Sequence, residues 1–235
     1  MEWGFLLAVY LVASIPFALV LTTLFGGDAD VRVTGSGNVG ATNVARVYGW
    51  GLAAPVLGLD MLKGFLPVLM AGWMWPEHGV WWQGSVALVA FIGHCFPVYL
   101  EFRGGKGVAT GAGALLAVTP VPVLTGMVVW VLVLVVWGRS SVAALLAALV
   151  VALVCGVTEE LDRSAIVVLV VAGVAYTHIA NIRRLLMGEE SQVIRPVRFN
   201  SPNTGPEVLR QNPAGEEESS RLWDELPTHP LELEE

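Results

Sequence analysis

Three polar, glycine-rich segments stand between long apolar stretches of the chain and carry the groups best suited to bind an anion. The first segment, residues 35–46, has glycines at positions 35, 37 and 40 and ends in Arg46. Glycine lets backbone N–H groups turn towards an anion because no Cβ atom stands in the way, and hydroxyl and guanidinium groups add donors. We therefore predict an anion site in this segment.

The second segment carries a lysine among glycines, directly before a short predicted helix. Lys106 is bracketed by Gly104, Gly105 and Gly107. Backbone amides and an ammonium group at the N-terminus of a helix together favour a phosphate group. The spacing is not that of a P-loop, because Lys106 is followed by glycine rather than by a hydroxyl residue that binds magnesium. In an alternative interpretation, the cations of this segment only mark the cytoplasmic face of a membrane.

The third segment begins at His178, where the last long apolar stretch ends. His178 and Asn181 are three residues apart and share one face if the helix continues. The basic pair Arg183 and Arg184 has the alternative role of a membrane-surface anchor. A serine pair ending at Ser141 precedes another apolar stretch, where a serine alone would be a helix N-cap.

The first segment also matches the dinucleotide pattern G-x-G-x-x-G, with Asp60 lying 20 residues beyond Gly40. No strand is predicted before the segment and Asp60 lies inside an apolar stretch, so a dinucleotide site is not expected. Lys63 lies three residues from Asp60 in the same stretch. Isolated charges in a membrane-spanning helix are costly, and we expect these two to pair, with either a structural or a catalytic role.

Membrane-spanning helices are predicted on either side of these polar segments. The chain of 235 residues is 55% hydrophobic and only 14% charged, whereas an ordinary soluble domain carries about 25% charged residues. A helix needs about 20 apolar residues to cross a bilayer. The candidate stretches are Trp3–Phe25, Gly51–Trp75, Trp81–Tyr99, Val108–Trp137, Val142–Val157 and Ala165–His178.

The number of crossings follows from the positions of the basic loops. Six crossings would place the loops after Phe25 and His178 on opposite faces, yet both are basic, which opposes the positive-inside rule. Pro120 and Pro122 interrupt the fourth stretch, because proline removes a backbone donor and restricts the residue before it. Two short helices there give seven crossings. We therefore predict an all-α integral membrane protein with seven transmembrane helices, some of them short, an external N-terminus and a cytoplasmic C-terminus.

The end of the chain differs in composition from the rest. Residues 188–235 carry eleven acidic and four basic side chains, which accounts for the whole net charge of -7. The segment is rich in proline and has too little apolar surface to offset the entropy of ordering. We predict a membrane domain over residues 1–190 and an acidic, largely disordered cytoplasmic tail over residues 191–235.

Together, the three segments resemble the bacterial acyl-phosphate:glycerol-3-phosphate acyltransferases, often called the PlsY family. The resemblance covers about residues 1–190 and rests on specific patterns in a fixed order. These are G-S-G-N-x-G-A-T-N-x-x-R at Gly35–Arg46, G-H-x-F-P-V-x-x-x-F-[KR]-G-G-K-G-V-A-T at Gly93–Thr110 and H-x-x-N-I-x-R-L-x-x-G-x-E at His178–Glu190.

The resemblance implies transfer of a fatty acyl group from acyl phosphate to the 1-hydroxyl of sn-glycerol 3-phosphate, giving lysophosphatidic acid and phosphate for phospholipid biosynthesis. We expect no cofactor, no metal and no nucleic acid partner, and a monomer in the bacterial cytoplasmic (inner) membrane with its active site on the cytoplasmic side. The residues expected to be catalytic are Ser36, Arg46, Lys106, His178 and Asn181. The residues expected to bind substrate are Gly37, Asn38, Gly40, Thr42, Asn43, His94, Arg103, Gly104, Gly105, Gly107, Ser141 and Glu190.

Two other functions are weighed against this one. A CoA-dependent acyltransferase of the H-x-x-x-x-D type is not supported, because no aspartate follows any of the four histidines at the required distance. A transporter of a phosphorylated or anionic small molecule would also use short helices and glycine loops. The polar segments lie on one predicted face rather than at mid-membrane, which favours an enzyme.

Overall fold

The computed structural model describes residues 1–193, so the predicted tail lies outside the described residues apart from its first three positions. Residues 1–193 form ten α-helices and two short 3-10 helices, with no strand among them. The all-α prediction is confirmed for this part of the chain. The α-helices are α1 (Glu2–Ala13), α2 (Phe17–Phe25), α3 (Ala41–Tyr48), α4 (Trp50–Met74), α5 (Gly79–Cys95), α6 (Val108–Leu116), α7 (Pro120–Trp137), α8 (Ser140–Thr158), α9 (Leu161–Thr177) and α10 (Ile179–Leu186), and the 3-10 helices are Pro76–His78 and Val98–Leu100.

Within residues 1–193, four spans are long and apolar enough to cross a membrane: α4, α5 with its flanking residues, α7 and α8. The pairs α1–α2 and α9–α10 meet the same test only together, with bends of 41° and 57° between their members. Helix α6 has 9 residues, which makes it about 13 Å long and too short to cross the hydrocarbon core unaided.

Prolines explain where the long apolar stretches break. The chain bends between α1 and α2 at Pro16, because proline has no N–H and disfavours the helical conformation in the residue before it. The first apolar stretch is therefore two helices, rather than the one that the sequence predicts. The predicted interruption of the fourth stretch is confirmed, since α6 ends at Leu116 and α7 begins at Pro120.

Glycines bring α4 and α6 into close contact. A Cβ atom added at Gly64 would lie 2.1 Å from the Thr110 carbonyl oxygen, and one added at Gly113 would lie 2.0 Å from the Met61 carbonyl oxygen. Only glycine permits this approach, as is common where helices pack inside a membrane. The contact fixes the short helix α6 and with it the preceding loop that carries Lys106.

A two-residue turn joins α7 to α8 and is covered by the segment after α10. The turn contains Gly138 with φ of +68°, a conformation that favours glycine. The Val193 N–H donates to the Gly138 carbonyl at 2.6 Å, and Arg139 Nε donates to the Glu190 carbonyl at 3.1 Å. Residues 190–193 are thereby held against the start of α8.

Large apolar side chains cover the outer surfaces of the helices. On α7, for example, Val128 is 59% exposed and Leu132 is 58% exposed, whereas Val123 and Leu134 are buried. An apolar surface of this extent marks a membrane-facing protein rather than one surrounded by water.

Candidate active site

One cavity of about 270 Å³ brings the three predicted segments together. The predicted residues that line it are Ser36, Asn38, Gly40, Thr42, Asn43, Arg46, His94, Lys106, Gly107, His178, Asn181 and Glu190. The predicted residues that do not line it are Gly37, Arg103, Gly104, Gly105 and Ser141. Two polar residues outside the predicted set, Asp60 and Ser140, also line the cavity.

The glycine-rich segment before α3 folds around the side chain of Asn43. Asn43 Nδ2 donates to the carbonyl oxygens of Val31 and Thr34 at 2.8 and 3.0 Å, and Asn43 Oδ1 accepts from the Ser36 N–H at 2.7 Å. The side chain is fully buried, and its polar atoms are satisfied within the protein. Asn43 therefore holds Ser36 beside the cavity and shapes the site, a role closer to support than to substrate binding.

Two glycines of this segment adopt left-handed conformations that its tight path requires. Gly35 has φ of +67° and Gly37 has φ of +69°. A Cβ atom at Gly35 would lie 2.3 Å from Asn43 Oδ1, so the segment could not close around that amide. The Gly37 N–H donates to the Thr34 carbonyl at 3.2 Å, which differs from the prediction that Gly37 binds substrate.

Three helices begin at the wall of the cavity. The first N–H groups of a helix have no partner inside it, and the helix dipole adds about half a positive charge at that end. Three such ends around one cavity favour an anion before any side chain is counted. The lining residues at these helix starts are Ala41 and Thr42 of α3, Val108 and Ala109 of α6, and Ser140 of α8.

The loop between α5 and α6 is built differently from the predicted phosphate cradle. The N–H groups of Gly104 and Gly105 donate to the carbonyl oxygens of Cys95 and His94, both at 3.1 Å. These two glycines dock the loop on the end of α5, so their N–H groups are not available to a phosphate. Gly107, with φ of +75°, does line the cavity beside Lys106.

Burial lowers the pKa of the Lys106 ammonium group to about 8, because a partly buried cation loses hydration. The positive charges of Arg46 and Arg184 lower this pKa further, while the Glu190 carboxylate raises it. Burial also lowers the pKa of Arg46, but a guanidinium group stays charged at neutral pH. At pH 7 the cavity therefore presents two cations on opposite segments.

The His178 ring is held in one tautomer. Its Nδ1 lies 2.8 Å from the Val174 carbonyl oxygen, and a carbonyl oxygen only accepts, so Nδ1 carries a proton. In the neutral ring, Nε2 is then the unprotonated nitrogen. The side chain is buried at the bend between α9 and α10 and lines the cavity. Nε2 can therefore accept a hydrogen bond or a proton from a substrate hydroxyl.

Glu190 fixes the orientation of the Asn181 amide. Asn181 Nδ2 donates to Glu190 Oε1 at 2.7 Å, and Arg184 Nε donates to Glu190 Oε2 at 2.8 Å. Asn181 Oδ1 is buried with no hydrogen-bond partner among residues 1–193. A buried oxygen left unpaired is costly, so it is suited to accept a hydrogen bond from a substrate. Burial raises the pKa of the Glu190 carboxyl, but these hydrogen bonds and the Arg184 charge lower it overall.

Two predicted side chains lie elsewhere. Arg103 is exposed and does not line the cavity. Ser141 is 2% exposed and also does not line the cavity, whereas Ser140 does. Adjacent residues of a helix point about 100° apart, so a one-residue difference decides which serine reaches the site.

The cavity continues from its polar end into an apolar cleft between α4, α6, α7, α8 and α9. Along α8 the cleft extends from Ser140 to Val151, a distance of about 16 Å. A narrow apolar cleft with a few convergent polar groups at one end suits an amphipathic ligand. The residues of this apolar cleft are Leu57, Met61, Ala112, Leu115, Val123, Gly126, Met127, Trp130, Val131, Ala144, Ala147, Ala148, Val151, Val170, Val171 and Val174.

Among residues 1–193, no group of three or more histidine, cysteine, aspartate or glutamate side chains is placed to hold a metal ion. The polar groups of the cavity are instead cations, amides and helix ends, which are ligands for anions.

A sequence profile described as glycerol-3-phosphate acyltransferase matches residues 3–188. The chain belongs to the glycerol-3-phosphate acyltransferase family. The relative from Mesorhizobium japonicum is 44% identical over 196 residues, which cover 82% of this chain and 98% of the relative. The relative from Erythrobacter litoralis is 44% identical over 187 residues, which cover 78% of this chain and 91% of the relative.

Two solved structures have the same fold. Both are crystal structures of PlsY, an integral membrane glycerol 3-phosphate acyltransferase, one in a glycerol 3-phosphate form and one in a lysophosphatidic acid form. Each is 36% identical to this chain and covers 81% of it and 94% of its own length, with TM-scores of 0.75 and 0.73. Membership of the glycerol-3-phosphate acyltransferase family confirms the resemblance found in the three segments, and the chain is an integral, multi-pass membrane protein.

Proposed function

We propose that the protein transfers a fatty acyl group from acyl phosphate to the 1-hydroxyl of sn-glycerol 3-phosphate, giving lysophosphatidic acid and phosphate. One observation carries this proposal: a single cavity joins a cationic end, with three helix N-termini, to an apolar cleft about 16 Å long. The cationic end suits two phosphate groups and the cleft suits one hydrocarbon chain. Membership of the glycerol-3-phosphate acyltransferase family supports the acceptor.

The reaction needs no covalent acyl-enzyme intermediate. Acyl phosphate is a mixed anhydride, so the hydroxyl oxygen of the acceptor attacks the acyl carbon directly. A carbon–oxygen bond forms to the acceptor, and the bond from the acyl carbon to the phosphate oxygen breaks with its electron pair leaving on phosphate. The hydroxyl proton ends on the released phosphate, either directly or through His178 Nε2. Bringing two anions together in a fixed geometry is the main work of the site.

Each polar group has a place in this reaction. Arg46, Ser36 and the helix starts hold the phosphate of the acceptor, and Lys106 offsets charge on the leaving phosphate or the developing oxyanion. Asn181 and His178 both line the cavity, and the unpartnered Asn181 Oδ1 and His178 Nε2 orient the attacking hydroxyl. Glu190 acts through Asn181, as its hydrogen bond at 2.7 Å supports.

Replacement of His178 by alanine tests the orientation of the acceptor. We expect kcat to fall about 100-fold, since a positioned acid–base group contributes about that much or more. Steady-state formation of lysophosphatidic acid at saturating substrates measures the change. His78, an exposed histidine paired with Glu2 at 2.9 Å, gives a matched control whose replacement leaves kcat unchanged. Full turnover by His178→Ala would show that the imidazole has no role in the chemical step.

The acyl chain lies in the apolar cleft, with its carboxyl end at the cations. Ala148 lines the cleft eight residues beyond Ser140, about 12 Å from the polar end. Phenylalanine at position 148 would fill the cleft there and exclude the far end of a long chain. Each methylene group excluded from the cleft costs about 0.8 kcal/mol of binding free energy, so excluding four methylene groups costs about 3 kcal/mol.

We therefore expect Ala148→Phe to lower kcat/KM for palmitoyl phosphate about 100-fold and to leave octanoyl phosphate nearly unaffected. Competition between the two donors, followed by mass spectrometry of the products, measures this ratio directly. Leu149 is the next residue on α8 and is 52% exposed on the outer surface, so Leu149→Phe is the matched control. An equal loss with both donors would place the acyl chain elsewhere.

Contacts between loops support seven crossings. At one end, His78 pairs with Glu2 at 2.9 Å, and Arg163 donates to the Val118 carbonyl, which packs near Ala71 at the end of α4. At the opposite end, Arg46 of α3 and Arg139, which directly precedes α8, both donate to carbonyl oxygens of the segment after α10. Helix α6 runs from the Lys106 end to the Val118 end, so it counts as a crossing although it is short.

The basic residues support an active site on the cytoplasmic side of the membrane. Arg46 and Arg139 contact the carbonyl oxygens of Ser191 and Glu190 at 3.4 and 3.1 Å, at the same end of the bundle as Lys106. By the positive-inside rule this end is cytoplasmic and the N-terminus is external. We propose that the protein lies in the bacterial cytoplasmic (inner) membrane and works as a monomer, and the formation of the whole cavity by residues of one chain supports this. Water-soluble acceptor enters from the cytoplasm, and product leaves into the lipid.

Purified protein given palmitoyl phosphate and glycerol 3-phosphate tests the proposed function, beside a parallel reaction with palmitoyl-CoA. We expect phosphate and lysophosphatidic acid in equal amounts from the acyl phosphate and no product from the CoA ester. Product from the CoA ester alone, or no product from folded protein, would overturn the proposed donor or the proposed reaction.

A further inference from the structure

Three buried ionisable side chains beside the cavity have no part in the proposed reaction. Asp60 is 2% exposed, Lys63 is 5% exposed and His94 is 7% exposed. Lys63 Nζ lies 2.8 Å from Asp60 Oδ1, and His94 Nδ1 lies 3.6 Å from the same oxygen. Charges this deep in a membrane protein are costly and are found where they are paired and have a function.

Lys63 ties this group to the break between the first two helices. Its ammonium donates to the Ile15 carbonyl at 2.9 Å, directly before Pro16, and lies 5.4 Å from the centre of the Phe17 ring. The break leaves backbone carbonyls without helical partners, and Lys63 satisfies one of them. Helix α4 is thereby attached to the bend between α1 and α2.

His94 ties the same group to the loop that carries Lys106. The His94 carbonyl accepts from the Gly105 N–H at 3.1 Å, and a Cβ atom at Gly105 would lie 2.1 Å from His94 Nε2. The imidazole ring therefore lies directly against the backbone one residue before Lys106. Any rotation of this ring displaces the loop, because no gap separates the two.

We propose that Asp60, Lys63 and His94 are positioning residues that act through Lys106. The Asp60 carboxylate lies 3.6 Å from His94 Nδ1, beyond hydrogen-bond distance, and orients the ring through its charge. The ring and carbonyl of His94 hold Gly105, and Lys63 neutralises Asp60 while fastening it to the α1–α2 bend. The proposal rests on the proposed role of Lys106 in the reaction. It gives the sequence-predicted substrate residue His94 a supporting function.

The test removes both charges at once, so that no unpaired charge is left buried. The Asp60→Asn/Lys63→Met variant is compared with wild type after each is shown to be folded by its thermal transition in detergent. We expect kcat to fall about 100-fold, because a displacement of a reacting group by about 1 Å has an effect of that order. The KM for glycerol 3-phosphate should change little, since Arg46 is untouched.

A second readout does not depend on activity. The chain contains only two lysines, Lys63 and Lys106, so Lys106 is the only lysine left in the double variant. Its acetylation by acetic anhydride, followed by mass spectrometry across a pH series, reports the pKa of its ammonium group. In wild type this pKa is lowered to about 8, with Arg46, Arg184 and Glu190 as the charged neighbours. If Lys106 loses its place, it gains water and its pKa rises towards the ordinary value of about 10.4.

The expected result is a lower kcat together with a raised Lys106 pKa in the double variant and in His94→Ala. His78→Gln, which removes an exposed histidine that pairs with Glu2, should change neither. A lower kcat with an unchanged Lys106 pKa would overturn the proposal, and so would a rise in the KM for glycerol 3-phosphate alone. If wild type proves inactive with acyl phosphate, the proposed function fails, but the shift of the Lys106 pKa still decides whether these residues position it.

Discussion

Replacement of Lys106 by alanine is expected to lower kcat about 1,000-fold at saturating concentrations of both substrates. Lys106 lines the cavity shortly before the start of α6, in a partly buried position where charge interactions are stronger than in water. Charge on the leaving phosphate grows as its bond to the acyl carbon breaks. The lost stabilisation therefore belongs to the transition state and appears in kcat rather than in KM. Initial rates of lysophosphatidic acid formation measure it.

The same group predicts the dependence of activity on pH. With a pKa of about 8, Lys106 is charged below that pH and loses its charge above it. The value of kcat/KM, which reports the free enzyme, should be highest below pH 8 and fall as the pH rises through that value. In Lys106→Arg this fall should disappear, because arginine remains charged throughout the range.

Arg103→Ala is the matched control for both measurements, since Arg103 is exposed and does not line the cavity. Its replacement should leave kcat and the pH profile nearly unchanged. An equal loss in Arg103→Ala and Lys106→Ala would show that the loop as a whole matters and that no special role belongs to Lys106.

The three segments could be found from the sequence because glycine, amide and charged residues are conspicuous in a chain that is otherwise apolar. The break before Pro120 could be found for the same reason, since proline acts on the backbone locally. Pro16 carried the same local signal for a break in the first apolar stretch. That signal was missed because the whole stretch has the length of one membrane-spanning helix.

Contacts between residues far apart in the chain could not be predicted from the sequence. Gly104 and Gly105 were expected to offer their N–H groups to phosphate, but the carbonyl oxygens at the end of α5 accept both. Nothing in the local pattern shows which distant carbonyl will be nearby. The pairing of Asp60 with Lys63 follows from a spacing of three residues on one helix, whereas the approach of His94 depends on the packing of α5 against α4.

The choice between Ser140 and Ser141 shows a different limit. The sequence indicates that a serine begins α8, but the rotation of the helix about its axis decides which hydroxyl reaches the cavity. That rotation is set by contacts between α7 and α8 along their whole length, including the close approach of Gly126 to Val151. A shift of one residue turns the side chain by about 100°, so pattern alone cannot resolve it.

Replacement of Arg46 by alanine is expected to raise the KM for glycerol 3-phosphate by a few hundredfold while changing kcat much less. Removing one partner of a buried, hydrogen-bonded charge pair costs roughly 3 to 4 kcal/mol. Arg46 lies in the last turn of α3 and lines the cavity, and its Nε is buried without a hydrogen-bond partner among residues 1–193. A phosphate that stays on the acceptor throughout the reaction is bound equally in the ground state and the transition state. The loss of its contact with Arg46 therefore raises KM.

Arg32 provides the control, because it lies in the chain shortly before α3 but is exposed and paired with Asp30 at 2.7 Å. Exposed ion pairs contribute little to the stability of the folded protein. Arg32→Ala should therefore leave the KM for glycerol 3-phosphate within about twofold of wild type. Arg46→Lys should recover only part of the affinity, since an ammonium group cannot match the two parallel hydrogen bonds that a guanidinium makes to phosphate. A large fall in kcat with an unchanged KM in Arg46→Ala would instead show that Arg46 stabilises the leaving phosphate, the role proposed for Lys106.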